Sequence, residues 1–223
     1  MNWNEIVWPC ELSDIVKQGL CQCAVEIVDL EEHKIDGNRW KMDGLYYISQ
    51  GGVGVSVRPP DSNFSASAIL GATDWMGSNS IFSEVNYYPI FIELAPLKIL
   101  YFPRKKVEQL AQSNPEVYTL LFHASRLITV QWLRASCAGL YNREKRLARV
   151  LINYYEKLNG KIDGLEDGTI AVSQMQLSQL VGMTRPRVNE TLKLFEQRKW
   201  ISIQRGKITL NELDILFNKA KVF

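Results

Sequence analysis

The stretch Leu177–Phe195, LSQLVGMTRPRVNETLKLF, sets Arg185 and Arg187 around Pro186 at the start of an expected helix. A helix N-terminus carries free N–H groups and the positive end of the peptide dipole, so it attracts anions before any side chain is added. Arginine in that position can fork onto a guanine edge or grip a phosphate. Asn189 has the amide needed to pair with adenine, and Glu190 can accept from the amino group of cytosine. Pro186 is tolerated in a first helical turn, where its missing N–H removes no intrahelical bond. These residue types at this spacing suit recognition of a polyanion. The chain shows no Gly-rich phosphate loop, no metal-ligand spacing and no recognisable nucleophile–base set, so neither an enzyme nor a cofactor or metal is expected.

The local elements that must hold these side chains are readable. Ser173 is a good N-cap for a short helix, Gln174 to Leu180, that turns Leu177 and Leu180 inward. Gly182 suits its left-handed end, and Thr184 caps the next helix. Val188, Leu192 and Phe195 share one face at i, i+4, i+7 and call for burial. Pro186, Asn189, Glu190 and Lys193 then lie on the far side, with Arg185 and Arg187 at the exposed end. Two short helices joined by a Gly-containing turn form a helix-turn-helix, although an ordinary αα-corner in an enzyme's helical domain has the same local pattern. WISIQRGKITL, Trp200–Leu210, adds two short strands around Arg205-Gly206. Such a hairpin behind a recognition helix is a wing, with Arg205 and Lys207 placed for phosphates. The expected DNA contacts are Thr184, Arg185, Pro186, Arg187, Asn189, Glu190, Lys193, Arg205 and Lys207.

Upstream, Asn142 can cap a helix whose apolar positions are Leu147, Val150, Leu151 and Tyr154, followed by a Gly- and acid-rich loop, Asn159 to Thr169. From Pro115, with Asn114 as a candidate N-cap, Val117, Leu121, Ala124, Ile128, Gln131, Ala135 and Ala138 recur at steps of four and three. That seam suits a coiled-coil dimer, with polar Gln131 setting the register, and Leu120 and Leu127 are expected to pack back on the N-terminal half. A long core helix inside a monomer is the alternative. Gly139 ends or kinks the helix. The first half is β-rich. Leu45–Val57 has an apolar run, a Gly51-Gly52 break, then alternation at Val53, Val55 and Val57. Ala68–Leu70, Ile90–Leu94 and Ile99–Phe102 read as further strands, with Pro59-Pro60 and Asp61-Ser62-Asn63 as turn chemistry. The expected class is therefore α+β, with a small barrel or roll over 1–114, a dimerisation helix over 115–140 and a winged helix-turn-helix over 141–223.

Charge follows the same division. Residues 1–103 carry net −7 and residues 104–223 net +9, within a total of +2. Only the C-terminal half is thus suited to an anionic partner. No stretch approaches the roughly 18 consecutive apolar residues of a membrane span, and the first twenty residues lack a secretory pattern. Four cysteines without a dense framework fit a reducing cytoplasm. Cys10, Cys21, Cys23 and Cys137, with isolated His33 and His123, are expected to be structural.

Taken together, GLYYISQGGVGVSV, the long helix from Pro115 and LSQLVGMTRPRVNETLKLFEQRKWISIQRGKITL resemble the Crp/Fnr family of bacterial transcription regulators over nearly the whole chain. The resemblance implies a cyclic-nucleotide-binding-like β-roll and a homodimer on an inverted-repeat operator that recruits or obstructs RNA polymerase. Arg185 matches the family's usual first arginine of the recognition helix. The next position, often glutamate, is Pro186, and a later one, often arginine, is Glu190, so a different operator preference is implied. Members that bind cyclic AMP carry a Gly-Glu pair and an Arg-Ser pair. Here Gly77-Ser78 and Tyr88-Pro89 stand in those places. Without the arginine a buried phosphate would lack its counter-charge. The pocket is therefore read as degenerate and not controlled by cAMP, leaving an unknown small-molecule effector open. Iron–sulfur members use a tight N-terminal cysteine group plus one distant cysteine, a spacing this chain lacks. The competing functional class is a ligand-controlled interaction module that has lost DNA reading.

Overall fold

Strand β4, Gly44–Val57, is the spine of the N-terminal half. In the computed structural model, which describes residues 5–27, 34–36, 39–57, 66–83, 89–158 and 167–221, β4 pairs antiparallel with β7, Ile90–Pro103, on one side. On the other side it pairs with β5, Ala66–Gly71, and β6, Trp75–Met76. Three short strands, β1 (Val25–Ile27), β2 (Lys34–Asp36) and β3 (Arg39–Trp40), complete an antiparallel seven-stranded sheet by way of β7. Ile90–Leu94 and Ile99–Phe102 belong to one continuous strand, β7, rather than two, because β4 pairs across Pro96 with only a local register shift. The turn chemistry at residues 59–63, the loop residues 159–166, His33 and Tyr88 lie outside the described residues.

The glycine break at Gly51-Gly52 is not a turn. It is an irregularity that changes which face of β4 looks inward. Tyr46 and Ile48 before it, and Val53 and Val55 after it, all enter the same interior cluster with Trp40, Leu70, Met76, Phe91 and Ile99. Side chains alternate strictly in a regular strand, so one parity step must be lost between them. Gly51 has φ 80°, and a Cβ there would overlap the Pro96 carbonyl oxygen. The first part of the opposite face of β4 is covered by two helices. Leu45 and Tyr47 pack with Trp75, Leu100 and Phe102 under helices α1 (Asp14–Cys23) and α2 (Arg104–Ser113). Neither helix was expected from periodicity. Asn114 closes α2 by donating to the Leu110 carbonyl and gives α3 no side-chain cap.

Helix α3, Glu116–Ala138, runs along the roll. Its expected dimer seam faces the chain itself. Val117, Leu121 and Ala124 are buried with the α1–α2 cluster, Ile128 enters the roll interior, and Ala135 is buried too. Gln131 and Ala138 are half-buried. Leu120 packs inward as expected, but Leu127 does not. The face left open carries Phe122, Val130 and Leu133, at 64%, 42% and 55% exposure, and Leu140, just past the helix end, is 86% exposed. Apolar residues recur on both faces of this helix, and the roll takes one of them.

Helix α4, Arg143–Leu158, follows after a short turn and opens the C-terminal half. Strand β8 (Thr169–Ala171), helices α5 (Gln174–Val181) and α6 (Arg185–Gln197), strands β9 (Ile201–Gln204) and β10 (Lys207–Leu210), and helix α7 (Leu213–Ala220) complete it. The three strands order as β8-β10-β9, so the wing hairpin is backed by a third strand. Leu147, Leu151, Leu177, Val188, Phe195, Ile208 and Leu216 form its core. That same core takes in Ile69, Ile92 and Leu94 from the roll. Leu158 and Leu180 fill the spaces where Gly52 and Gly54 have no side chain. Packing therefore continues across residue 141.

Candidate nucleic-acid interface

Helix α5 starts with a complete capping box. The Gln176 N–H donates to Ser173 Oγ at 3.2 Å, and the Ser173 N–H donates to Gln176 Oε1 at 2.8 Å. It ends at Gly182, φ 65°, the left-handed position that glycine fills without strain. A residue that local patterning did not single out, Arg146 of α4, locks this end. Its Nη2 donates to the carbonyls of Val181 at 2.6 Å and Gly182 at 2.9 Å. A guanidinium there satisfies free carbonyls and complements the negative end of the helix dipole. The turn between the two helices is thus held from a third element.

Helix α6 buries Val188, Thr191, Leu192 and Phe195. The Thr191 hydroxyl donates back to the Arg187 carbonyl at 2.8 Å. Thr184 has the extended backbone of an N-cap, yet its side chain makes no capping bond. Thr184, Arg185, Pro186 and Arg187 are all exposed. The first turn of α6 thus offers uncapped N–H groups flanked by two arginines, an arrangement that attracts a phosphate or a base edge. Lys193 is exposed further along the helix. Glu190 is exposed but engaged, because Arg143 Nη1 donates to its Oε2 at 2.9 Å. Asn189 is half-buried, and its Oδ1 is enclosed without a hydrogen-bond partner among the described residues. Arg205 and Lys207 sit exposed at the wing turn.

A second brace fixes the far end of α6. Glu144 of α4 accepts from Arg198 Nη1 at 3.1 Å and from Lys219 Nζ of α7 at 2.7 Å. The Lys219 hydrogen bond, with the Arg198 bond adding to it, holds the Glu144 carboxyl below the usual range. Arg198 also lies over Trp200, 4.8 Å from the ring centroid, and Trp200 packs on Phe195. Beside the N-terminal end of α6 runs an open groove of about 1060 Å³. Arg143, Arg146, Met183, Thr184 and Arg187 form one wall, and Ser56, Ile90 and Ile92 of the roll form the other. Arg143, Arg146 and Glu144 were legible only as the basic, charged start of α4, because their partners lie dozens of residues away.

The sensor-like pocket is small and apolar. A cavity of about 60 Å³ is lined by Met42, Val55, Leu70, Met76, Gly77, Ser78, Asn79, Pro89, Ile128 and Trp132. None of these lining residues is charged. Ser78 is 6% exposed, and its Oγ has no hydrogen-bond partner among the described residues. Cys10, Cys21 and Cys23 pack beside the α1–α2 cluster, and burial pushes all three thiols up, away from reactive thiolate. Cys137 is also a free thiol, half-buried near the end of α3. Among the described residues no group of three or more His, Cys, Asp or Glu could hold a metal ion, and no helix is long and apolar enough to cross a membrane.

A β-roll, a long helix and a winged helix-turn-helix define a DNA-binding regulator. Residues 145–217 match the Crp-like helix-turn-helix domain model. The chain is 27% identical over 169 residues to the cAMP-activated global transcriptional regulator CRP of Pasteurella multocida, covering 73% of this chain and 78% of that protein. It is 23% identical over 184 residues to the CRP-like cAMP-activated global transcriptional regulator of Mycobacterium tuberculosis, covering 80% of each. The fold is shared with a crp/fnr-family transcriptional regulator from Eubacterium rectale (TM-score 0.65, 18% identity, 94% of this chain and 95% of that one). It is shared equally with FixK2 from Bradyrhizobium japonicum (TM-score 0.67, 16% identity, 89% and 98%). Residues 145–217 form a Crp-like helix-turn-helix DNA-binding domain, and the chain is a Crp-like transcription regulator.

Proposed function

We propose that this regulator binds a specific inverted-repeat operator as a homodimer, in the cytoplasm, without control by cAMP. The observation that carries the reading is the exposed, uncapped N-terminus of α6 with Arg185 and Arg187 on it. Arg185 reads a base edge, and Arg187, Arg205 and Lys207 hold phosphates. Glu190, engaged by Arg143, is less free to read cytosine than its position suggests. The open apolar face of α3 joins two copies, and two recognition helices about 34 Å apart meet successive turns of one DNA face. RNA polymerase is the partner that a bound regulator recruits or obstructs. The relatives' cAMP activation does not carry over, because the described lining of the cavity offers no cation to a cyclic phosphate.

Selection from random duplexes followed by anisotropy titration tests all of this. The enriched site is expected to be an inverted repeat, with affinity the same with and without cAMP. Arg185→Ala should weaken the selected site by about 5- to 150-fold, the loss of one base-reading contact, and random DNA much less, since phosphate contacts remain. Enrichment of single half-sites, a cAMP-dependent affinity, or equal losses on both DNAs would each count against the corresponding part. No DNA binding at all would favour the interaction-module reading.

A further inference from the structure

Two arginines that form no ion pair among the described residues meet where all three parts of the chain converge. A crevice of about 150 Å³ is bounded by Gln131 and Arg134 of α3, by Arg149, Asn153, Lys157 and the carboxylate of Glu156 at the rim of α4, and by strand β5. Lys157 is occupied, its Nζ 2.8 Å from each Asp74 carboxylate oxygen. Arg149 is half-buried. Among the described residues neither Arg134 nor Arg149 makes an ion pair or hydrogen bond. Burial lowers the Arg149 pKa and Arg134 beside it lowers it further, while exposed Glu156 opposes the shift without pairing. A guanidinium carries five donors, and shielding it from water without acceptors is unfavourable. A second guanidinium alongside worsens this. An anion between them relieves both effects.

We infer that this crevice is a binding site for a compact oxyanion of the phosphate class. Arg134 and Arg149 grip it with their planar forks, a geometry that matches phosphate oxygens. The amides of Asn153 and Gln131 add neutral donors. The site is separate from the apolar cavity around Ser78 and from the DNA-facing end of α6. Because its walls come from α3, α4 and β5, an occupant stabilises the arrangement in which the winged helix is docked on the roll. The proposal does not depend on the operator reading, and its test uses no DNA.

Thermal unfolding of the full chain, titrated with inorganic phosphate at ionic strength held constant with chloride, provides that test. Wild type is expected to show a saturable rise in midpoint. Arg149→Met should weaken the apparent phosphate affinity by about 10- to 100-fold, the loss of a charge-assisted contact. In chloride alone that variant should melt no lower than wild type, since a like-charge contact is gone. Arg134→Met, on the exposed rim, should weaken phosphate binding too and serves if Arg149→Met does not fold. The general stabilisation by excluded salts appears equally in all variants and is subtracted. A matching response to glycerol phosphate assigns the site to phosphate groups of small metabolites, and a response to inorganic phosphate alone assigns it to the free ion. Identical phosphate dependence in wild type and both variants overturns the proposal. So does dissociation of a dimer by Arg149→Met with the phosphate response intact, because a second copy would then supply the counter-charge.

Discussion

Two adjacent glycines in β4 do different work. Gly51 sits at φ 80°, where an L side chain is strained, and a Cβ would strike the Pro96 backbone oxygen. Gly52 needs no unusual backbone, but its missing side chain leaves room for Leu158 of α4. Gly51→Ala should therefore destabilise the chain by about 2–4 kcal/mol and Gly52→Ala by about 1–3 kcal/mol. Leu158→Ala should shrink the Gly52→Ala penalty and leave that of Gly51→Ala unchanged, in a double-mutant cycle by urea unfolding. Equal coupling of both glycines to Leu158 would refute the assignment. The sequence announced a special backbone at Gly51-Gly52. It did not show that the second glycine receives a side chain from over a hundred residues away. The same limit divides the candidate site. The placement of Arg185 and Arg187 was legible because caps, proline and periodicity are local. The Arg146 clasp on Val181 and Gly182 was not, because the carbonyls it serves are met only in three dimensions.

At the scale of elements, α3 is the instructive case. Its existence and length were readable from spacing, but its facing was not. This helix has apolar residues on two sides, and periodicity alone does not rank them. The roll's interior decides. Val117, Ala124 and Ile128 complete clusters that β4, β6 and β7 leave open, so Phe122, Val130, Leu133 and Leu140 stay exposed, the surface proposed to meet a second copy. Leu133→Glu should dissociate the dimer in sedimentation runs while retaining a cooperative melt. It should also reduce affinity for a full inverted repeat towards that for one half-site. Ala124→Glu, in contrast, should abolish the cooperative melt itself, because it puts a charge into a packed interior without a partner. A Leu133→Glu protein that remains dimeric at micromolar concentration would move the interface elsewhere. Helices α1, α2 and α7 were missed for a simpler reason. Each is short, and periodicity gains weight only with length.

For the whole molecule, the central question is whether the DNA-binding half and the roll are one cooperative unit. The charge division and the expected boundary at 141 suggest two. The packing argues for one. Ile69, Ile92 and Leu94 of the roll lie in the winged-helix core, and Leu158 and Leu180 seat against glycines of β4. The buried Tyr154 hydroxyl, its pKa pushed up to about 12 by burial, lies 2.6 Å from the Ala171 carbonyl oxygen and 3.2 Å from that of Leu94. Gln176 Nε2 donates to the Glu93 carbonyl at 2.8 Å, and Lys157 pairs with Asp74, which also accepts from the Gly71 N–H. An apolar core cannot be cut in two without exposing both sides, so unfolding of either half should drag the other with it. Calorimetry at fixed protein concentration should show one transition with matching calorimetric and van't Hoff enthalpies. Asp74→Asn removes the charge that Lys157 requires and should cost about 1–3 kcal/mol. For a chain of this size that lowers the midpoint by about 2–10 °C. The informative feature is which transition moves. In a shared core the single peak shifts intact, because the lost contact belongs to neither half alone. If the scan instead resolves two peaks and the substitution displaces only one, the halves are independent bodies in loose contact, and a ligand in the roll could then reach the DNA-binding helix only through α3.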